Sequence, residues 1–127
     1  MDERKSIIKI GGQEYDLVLT TGATKEIAGR YGGLANLGDK IMSAENFEMA
    51  ISEIVWLITI LANQGIKIHN LKHPEDKKEL LTEEMVEILT VPYELADYRK
   101  AITEALNRGT ARNIVSEGTN SKNVKVE

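Results

Sequence analysis

Ile8 and Ile10 alternate with Lys9, and Tyr15, Leu17 and Leu19 alternate with Asp16 and Val18. That two-residue period is the mark of half-buried strands. Between the two runs lies Gly11-Gly12, the residue type that adopts positive φ angles without penalty, so residues 5–19 are predicted to form a β-hairpin. A lone hairpin is marginal in water, and its apolar face must pack on helices.

From Ile27 onward the spacing changes to three and four. Ile27, Tyr31, Leu34, Leu37 and Ile41 recur at helical intervals, with Gly32-Gly33 inside the pattern. Paired glycines disfavour a continuous helix, so two short helices are expected, about 23–31 and 34–42. Thr20 or Thr21 offers a hydroxyl to cap the first.

Ser43 then caps a long central helix, about 44–64, and Gly65 reads as its left-handed stop. Ile66-Lys-Ile-His69 alternates like a short strand, followed by a polar loop through Lys78. Thr82 opens a short helix whose acidic first turn, Glu83-Glu84, suits the positive helix end; Met85, Ile88 and Leu89 form its expected inner face. Pro92 starts the last long helix, striped by Leu95, Tyr98, Ile102, Ala105 and Leu106, with Gly109 expected to weaken or end it. The fold class is therefore α+β and mostly helical: an N-terminal hairpin packed on four to five helices. Residues 1–115 read as one domain and 116–127 as a flexible tail without packing period.

The central helix carries more apolar surface than one packed face requires. Ile51, Ile54, Val55, Ile58, Leu61 and Ala62 form one stripe, while Trp56, Leu57 and Ile60 point elsewhere. Two explanations stand: complete burial between hairpin and last helix, or a second face of Trp56, Leu57 and Ile60 that docks a partner. Trp is favoured at binding hot spots for its large apolar area and single polar handle.

Composition narrows the choice. Hydrophobic residues make up 42% and charged residues 28%, as in a globular domain, while aromatic content of 5% leaves an aliphatic core. Sixteen basic against twenty acidic residues give a net charge of −4, which speaks against a nucleic-acid partner. With no Cys, thiolate chemistry is excluded. The apolar run 51–62 is shorter than a bilayer span and is interrupted by Glu53, so no membrane partner is expected.

Candidate chemistry is sparse. His69 and His73 have zinc-like spacing, but Pro74 argues against a helix there and the pattern lacks its glutamate, leaving two loop histidines. Gly33 to Lys40 echoes a phosphate loop without the Lys-Ser or Lys-Thr that follows the second glycine. Glu45, Glu48, Glu53, Glu83, Glu84, Glu87, Glu94 and Asp97 fit exposed helical faces. Arg99, Lys100, Arg108 and Arg112 are interrupted by Glu94, Asp97 and Glu104, unlike a phosphate-tracking stripe. The expectation is a non-enzyme with no cofactor and no metal.

Several motifs carry a family resemblance: Ile8-Lys-Ile-Gly-Gly-Gln-Glu-Tyr15, Thr20-Thr-Gly-Ala-Thr-Lys-Glu-Ile27, Arg30-Tyr-Gly-Gly-Leu34, Ile54-Val-Trp-Leu-Ile58 and Leu61-Ala-Asn-Gln-Gly65. Together the chain resembles, over about residues 6–107, the tail assembly chaperones of long-tailed phages and prophages of Gram-positive bacteria. The resemblance implies a protein of the host bacterial cytoplasm that coats the tape-measure protein while the tail tube polymerises, then leaves before the virion matures. It also implies contact with the tail-tube protein through a frameshift-extended form, and self-association is compatible with coating a filament. Alternatives are a structural head–tail connector or tail-completion protein and, less favoured by charge, a small DNA-binding regulator.

Overall fold

The structure, a computed structural model, describes residues 4–33, 37 and 47–110, with backbone only for 47–50. Apart from Leu37, which is helical and buried, the expected helix 34–42 lies outside the described residues, as do the Ser43 cap, most of the phosphate-loop echo, the side chains of Glu45 and Glu48, Arg112 and the tail 116–127. The architecture is α+β: an antiparallel hairpin and, among the described residues, four helices.

Strands β1 (Lys5–Ile10) and β2 (Gln13–Val18) pair with Ile10 opposite Gln13, Ile8 opposite Tyr15 and Ser6 opposite Leu17. Gly11 and Gly12 take φ of 60° and 83°, the two positive angles of the tight hairpin turn whose twist matches the strands. One face buries Ser6, Ile8, Ile10 and Leu17. Val18, expected to face outward with Asp16, is also buried.

In a two-residue hairpin the closing pair exchanges hydrogen bonds, so the alternate residues Lys9, Glu14, Asp16 and Val18 aim their backbone groups away from the ladder. Two open edges on a two-stranded sheet invite pairing with foreign strands. Helices cover both of them. On β1, the Tyr98 hydroxyl donates to the Lys9 carbonyl at 2.7 Å, and Ser6 donates to the Ala101 carbonyl at 2.8 Å. On β2, Gly65 of the long helix lies so close to Asp16 that a Cβ there would stand 2.6 Å from the Asp16 carbonyl oxygen.

Helix α1 (Thr21–Tyr31) is capped by Thr20, whose hydroxyl accepts from the Ala23 N–H at 3.1 Å and donates to Gln64 Oε1 at 2.5 Å. Gly32 at φ 81° ends it, donating to the Ala28 carbonyl at 2.7 Å, so the glycine pair breaks the helix as expected.

Helix α2 (Phe47–Lys72) corrects the sequence expectation most sharply. It does not stop at Gly65, and Ile66 to His69 are not a strand; the helix continues for 26 residues, about 39 Å. Gly65 is there for close approach to β2, not for a left-handed turn. The stretch Ile51–Lys72 is consequently long and apolar enough to cross a membrane by length and composition, against the expectation of a shorter run. Here it is the central helix: Ile54, Val55, Leu57, Ile58, Leu61, Ala62 and Ile66 are buried against the hairpin and later helices.

A strap, residues 73–82, then returns along α2. Two asparagines two turns apart hold it, each with both amide atoms. Asn70 Nδ2 donates to the Lys78 carbonyl at 3.0 Å and its Oδ1 accepts from the Lys78 N–H at 2.8 Å. Asn63 does the same with Leu81, at 2.9 and 2.7 Å. Seven helical residues rise about 10.5 Å and three extended residues span about 10 Å, so the strap runs extended and antiparallel to the helix.

Thr82 caps α3 (Glu83–Leu89), accepting from the Met85 N–H at 3.1 Å. Pro92 opens a single 3-10 turn, Pro92–Glu94, before α4 (Leu95–Thr110). Leu95, Tyr98, Ile102 and Ala105 are buried on α4 with Leu106 at the margin, the stripe that spacing predicts. Gly109 does not end α4 before Thr110: it is helical, and a Cβ on it would lie 2.5 Å from the Leu19 Cβ.

Candidate protein-binding surface

The face expected to dock a partner comprised Trp56, Leu57 and Ile60. Leu57 does not belong to an exposed face, because it is 0% exposed. At 100° per residue it falls in line with Ile54 and Leu61, three behind and four ahead, and so joins the buried stripe. Trp56 and Ile60 are partly buried at the margin of the core.

Trp56 already has an intramolecular partner at the end of α1. The Arg30 guanidinium carbon stands 4.3 Å from the Trp56 ring centroid, and the Tyr31 ring meets Trp56 edge-on at 6.0 Å and 72°. A cation over an indole face contributes about 0.5–1 kcal/mol at exposed sites. Glu53, one turn before Trp56, fixes both side chains. Its Oε1 accepts from the Tyr31 hydroxyl and lies 3.4 Å from Arg30 Nε. Burial, then the neighbouring Glu53 carboxylate, push the Tyr31 phenol well above the usual tyrosine range. Glu53, expected on a solvated face, is thus half-buried and engaged; its role was hidden because Arg30 and Tyr31 are 23 and 22 residues away in sequence. Beside this cluster, Trp56, Ile60, Glu26, Asn63 and Lys67 border a shallow depression of about 230 Å³.

The histidines come together without forming a metal centre. His69 is on α2, correcting its loop assignment, and its ring lies 4.8 Å from that of His73. His69 Nε2 bonds the Asp76 carbonyl at 2.8 Å, while His73 Nδ1 is 3.5 Å from Glu75 Oε2. Among the described residues no group of three or more His, Cys, Asp or Glu side chains could hold a metal ion. Arg99, Lys100 and Arg108 share a surface with Asp97 and Glu104, and Arg108 pairs with Glu104 at 3.2 Å.

No family model, curated protein or solved structure matches this chain.

Large exposed apolar side chains lie elsewhere, among them Ile7, Leu71 and Leu80, and four more between Ile88 and Tyr93. Ile88 is 72% exposed, Val91 54% and Tyr93 88%, with Leu89 also exposed. Ile88 and Leu89 were expected on the inner face of α3; instead Val86 is buried there, with Met85 packed beside it. A seven-residue helix has too few turns for spacing alone to fix its buried side. The strap sets its rotation by anchoring Leu81, and the following turn continues the exposed row. Sequence did carry a signal: Ile88-Leu-Thr-Val-Pro-Tyr93 is apolar at positions that no single helical or strand period accommodates.

Hydrogen bonds and a proline fix the turn that carries Val91 and Tyr93. The Val91 N–H donates to the Glu94 carboxylate at 3.0 Å, and the Glu94 N–H returns a bond to the Val91 carbonyl at 2.9 Å. Thr90 bonds the Val86 carbonyl at 2.7 Å, and Pro92 fixes φ at the turn. Leu89 abuts the hairpin turn, where a Cβ on Gly11 would lie 3.2 Å from its side chain. The arrangement offers a preformed apolar ridge.

Proposed function

We propose that this chain is a phage tail assembly chaperone, a non-catalytic binding protein that covers the tape-measure protein and keeps it soluble during tail morphogenesis. The reading starts from the family resemblance of the motifs between Ile8 and Gly65. The observation that carries it further is the group Ile88, Leu89, Val91 and Tyr93, left exposed on a chain of net charge −4. A tape-measure protein is a long helix with an apolar stripe, and covering such a stripe needs a matching apolar surface on a soluble carrier. Grouped exposed apolar residues on a soluble domain mark interaction sites more often than chance.

The test is co-expression with the tape-measure protein of the same phage in a bacterial host. The tape measure should move into the soluble fraction and co-purify with this chain. An equally insoluble tape measure with and without it defeats the reading. Mass spectrometry of purified particles should find the chain missing; finding it there assigns it to a structural component instead.

A further inference from the structure

The exposed ridge sits within an acidic stretch. From Glu79 to Tyr98 the chain carries six carboxylates and neither Lys nor Arg. Glu84 and Glu87 lie four and one residues before Ile88, so on a helix they border it on the same side. Glu84 and Glu87 are exposed and form no ion pair with a described residue, whereas Asp97 shares a surface with Arg99 and Lys100, and Glu83 borders a depression with Lys67. Elsewhere exposed carboxylates do find cations, as Asp16 finds Lys5 at 3.6 Å and Glu104 finds Arg108 at 3.2 Å. Glu84 and Glu87 therefore place negative charge beside Ile88 that pairs with no cation among the described residues.

We propose that the ridge Ile88–Tyr93 docks an amphipathic helix of another protein whose apolar stripe is bordered by Lys or Arg. Charge complementarity at a rim steers encounter and selects partners, while the apolar centre supplies most of the affinity. Because Pro92 and the Val91–Glu94 bonds already fix the turn, little ordering entropy opposes docking. A second copy is the poorer occupant: a two-fold contact through this ridge would set two acidic rims against each other. The inference rests on the binding-protein reading and names the chemistry of its partner.

The probes are two synthetic helix-forming peptides of about 20 residues, long enough to be helical. Both carry a leucine stripe, flanked by lysine in one and by glutamate in the other. Fluorescence anisotropy with the full chain should show the lysine peptide binding at least tenfold more tightly at low salt, the advantage shrinking as salt rises. Ile88→Ser with Tyr93→Ser should weaken that binding at least tenfold at an unchanged unfolding midpoint, since both side chains are exposed. Glu84→Lys with Glu87→Lys should reverse the preference. Equal affinity for the two peptides overturns the proposal. So does binding indifferent to Ile88 and Tyr93, or a dimer that those two substitutions dissolve. If the peptides behave as expected while the tape measure stays insoluble, the ridge stands and the chaperone reading fails. If the Ile88→Ser, Tyr93→Ser variant solubilises the tape measure as well as the parent, the ridge fails and the chaperone reading stands.

Discussion

In an exposed helix interior, replacing glycine by alanine stabilises by about 1 kcal/mol; at Gly65 the sign should reverse. A Cβ there would stand 2.6 Å from the Asp16 carbonyl oxygen and 3.1 Å from the Asp16 Cβ. Neither obstacle is the free end of a flexible side chain. A normal carbon–oxygen contact is about 3.3 Å, so α2 and β2 must part by roughly 0.7 Å. Overpacking of this kind costs about 1–3 kcal/mol, and a backbone obstacle places it near the upper end. Subtracting the propensity gain leaves a net loss of about 2 kcal/mol. With a urea slope of about 1.5 kcal/mol per molar, the midpoint should fall by roughly 1 M. Trp56, the only Trp, lies on α2 beside Arg30 and Tyr31 and reports the transition by fluorescence. Gly29→Ala in α1, where a Cβ meets nothing within 4 Å, should instead gain about 0.5–1 kcal/mol. Gly65→Asn separates this account from a helix stop: asparagine tolerates a left-handed cap but not a close helix–strand contact. A Gly65→Ala chain as stable as the parent, or a Gly65→Asn chain more stable than Gly65→Ala, would refute the reasoning.

Asn63→Ala leaves both backbone groups of Leu81 without their partner and should cost about 1–3 kcal/mol; faster hydrogen exchange at the Leu81 amide, with the Ala23 amide unchanged, locates the loss in the strap. Thr82→Ala removes one cap bond and should cost about 1 kcal/mol, whereas Thr20→Ala should cost more because Thr20 also holds Gln64; thermal melts rank them. The folded state keeps Tyr31 protonated above its ordinary pKa of 10.0, so the unfolded chain loses that proton first and stability falls as pH rises past 10. Tyrosinate absorbance should show late titration of Tyr31 and of Tyr98, whose phenols burial raises, and Tyr31→Phe should remove the first of these and lose less stability over the same alkaline range.

Local signals were legible where one residue type answers one local need. Gly11-Gly12 required positive φ, Thr20 and Thr82 supplied cap oxygens, and the α4 stripe from Leu95 to Ala105 kept a single helical period; each is found as spacing predicts. Glycine inside a helix was ambiguous. The same residue ends α1 at Gly32 and lets helices pass close to other segments at Gly65 and Gly109, because a missing Cβ serves both a left-handed angle and a short interaxial distance. The candidate surface followed the same division. Trp56 could be located as unusual from its position on an apolar helix, but its cation and carboxylate neighbours come from Arg30, Tyr31 and Glu53 and had no local trace.

The chain by itself determined the hairpin, the caps, the aliphatic core and the acidic run from Glu79 to Asp97, since turn angles, periodicity and charge are properties of neighbouring residues. Only the tertiary structure decided that α2 runs through Gly65 to Lys72, that Asn63 and Asn70 strap the return segment to it, and that Leu57 turns inward while Ile88, Val91 and Tyr93 remain outside. Burial depends on which segment arrives from far along the chain, and the pairings Gly65 with Asp16 and Asn63 with Leu81 fix that by distance in space.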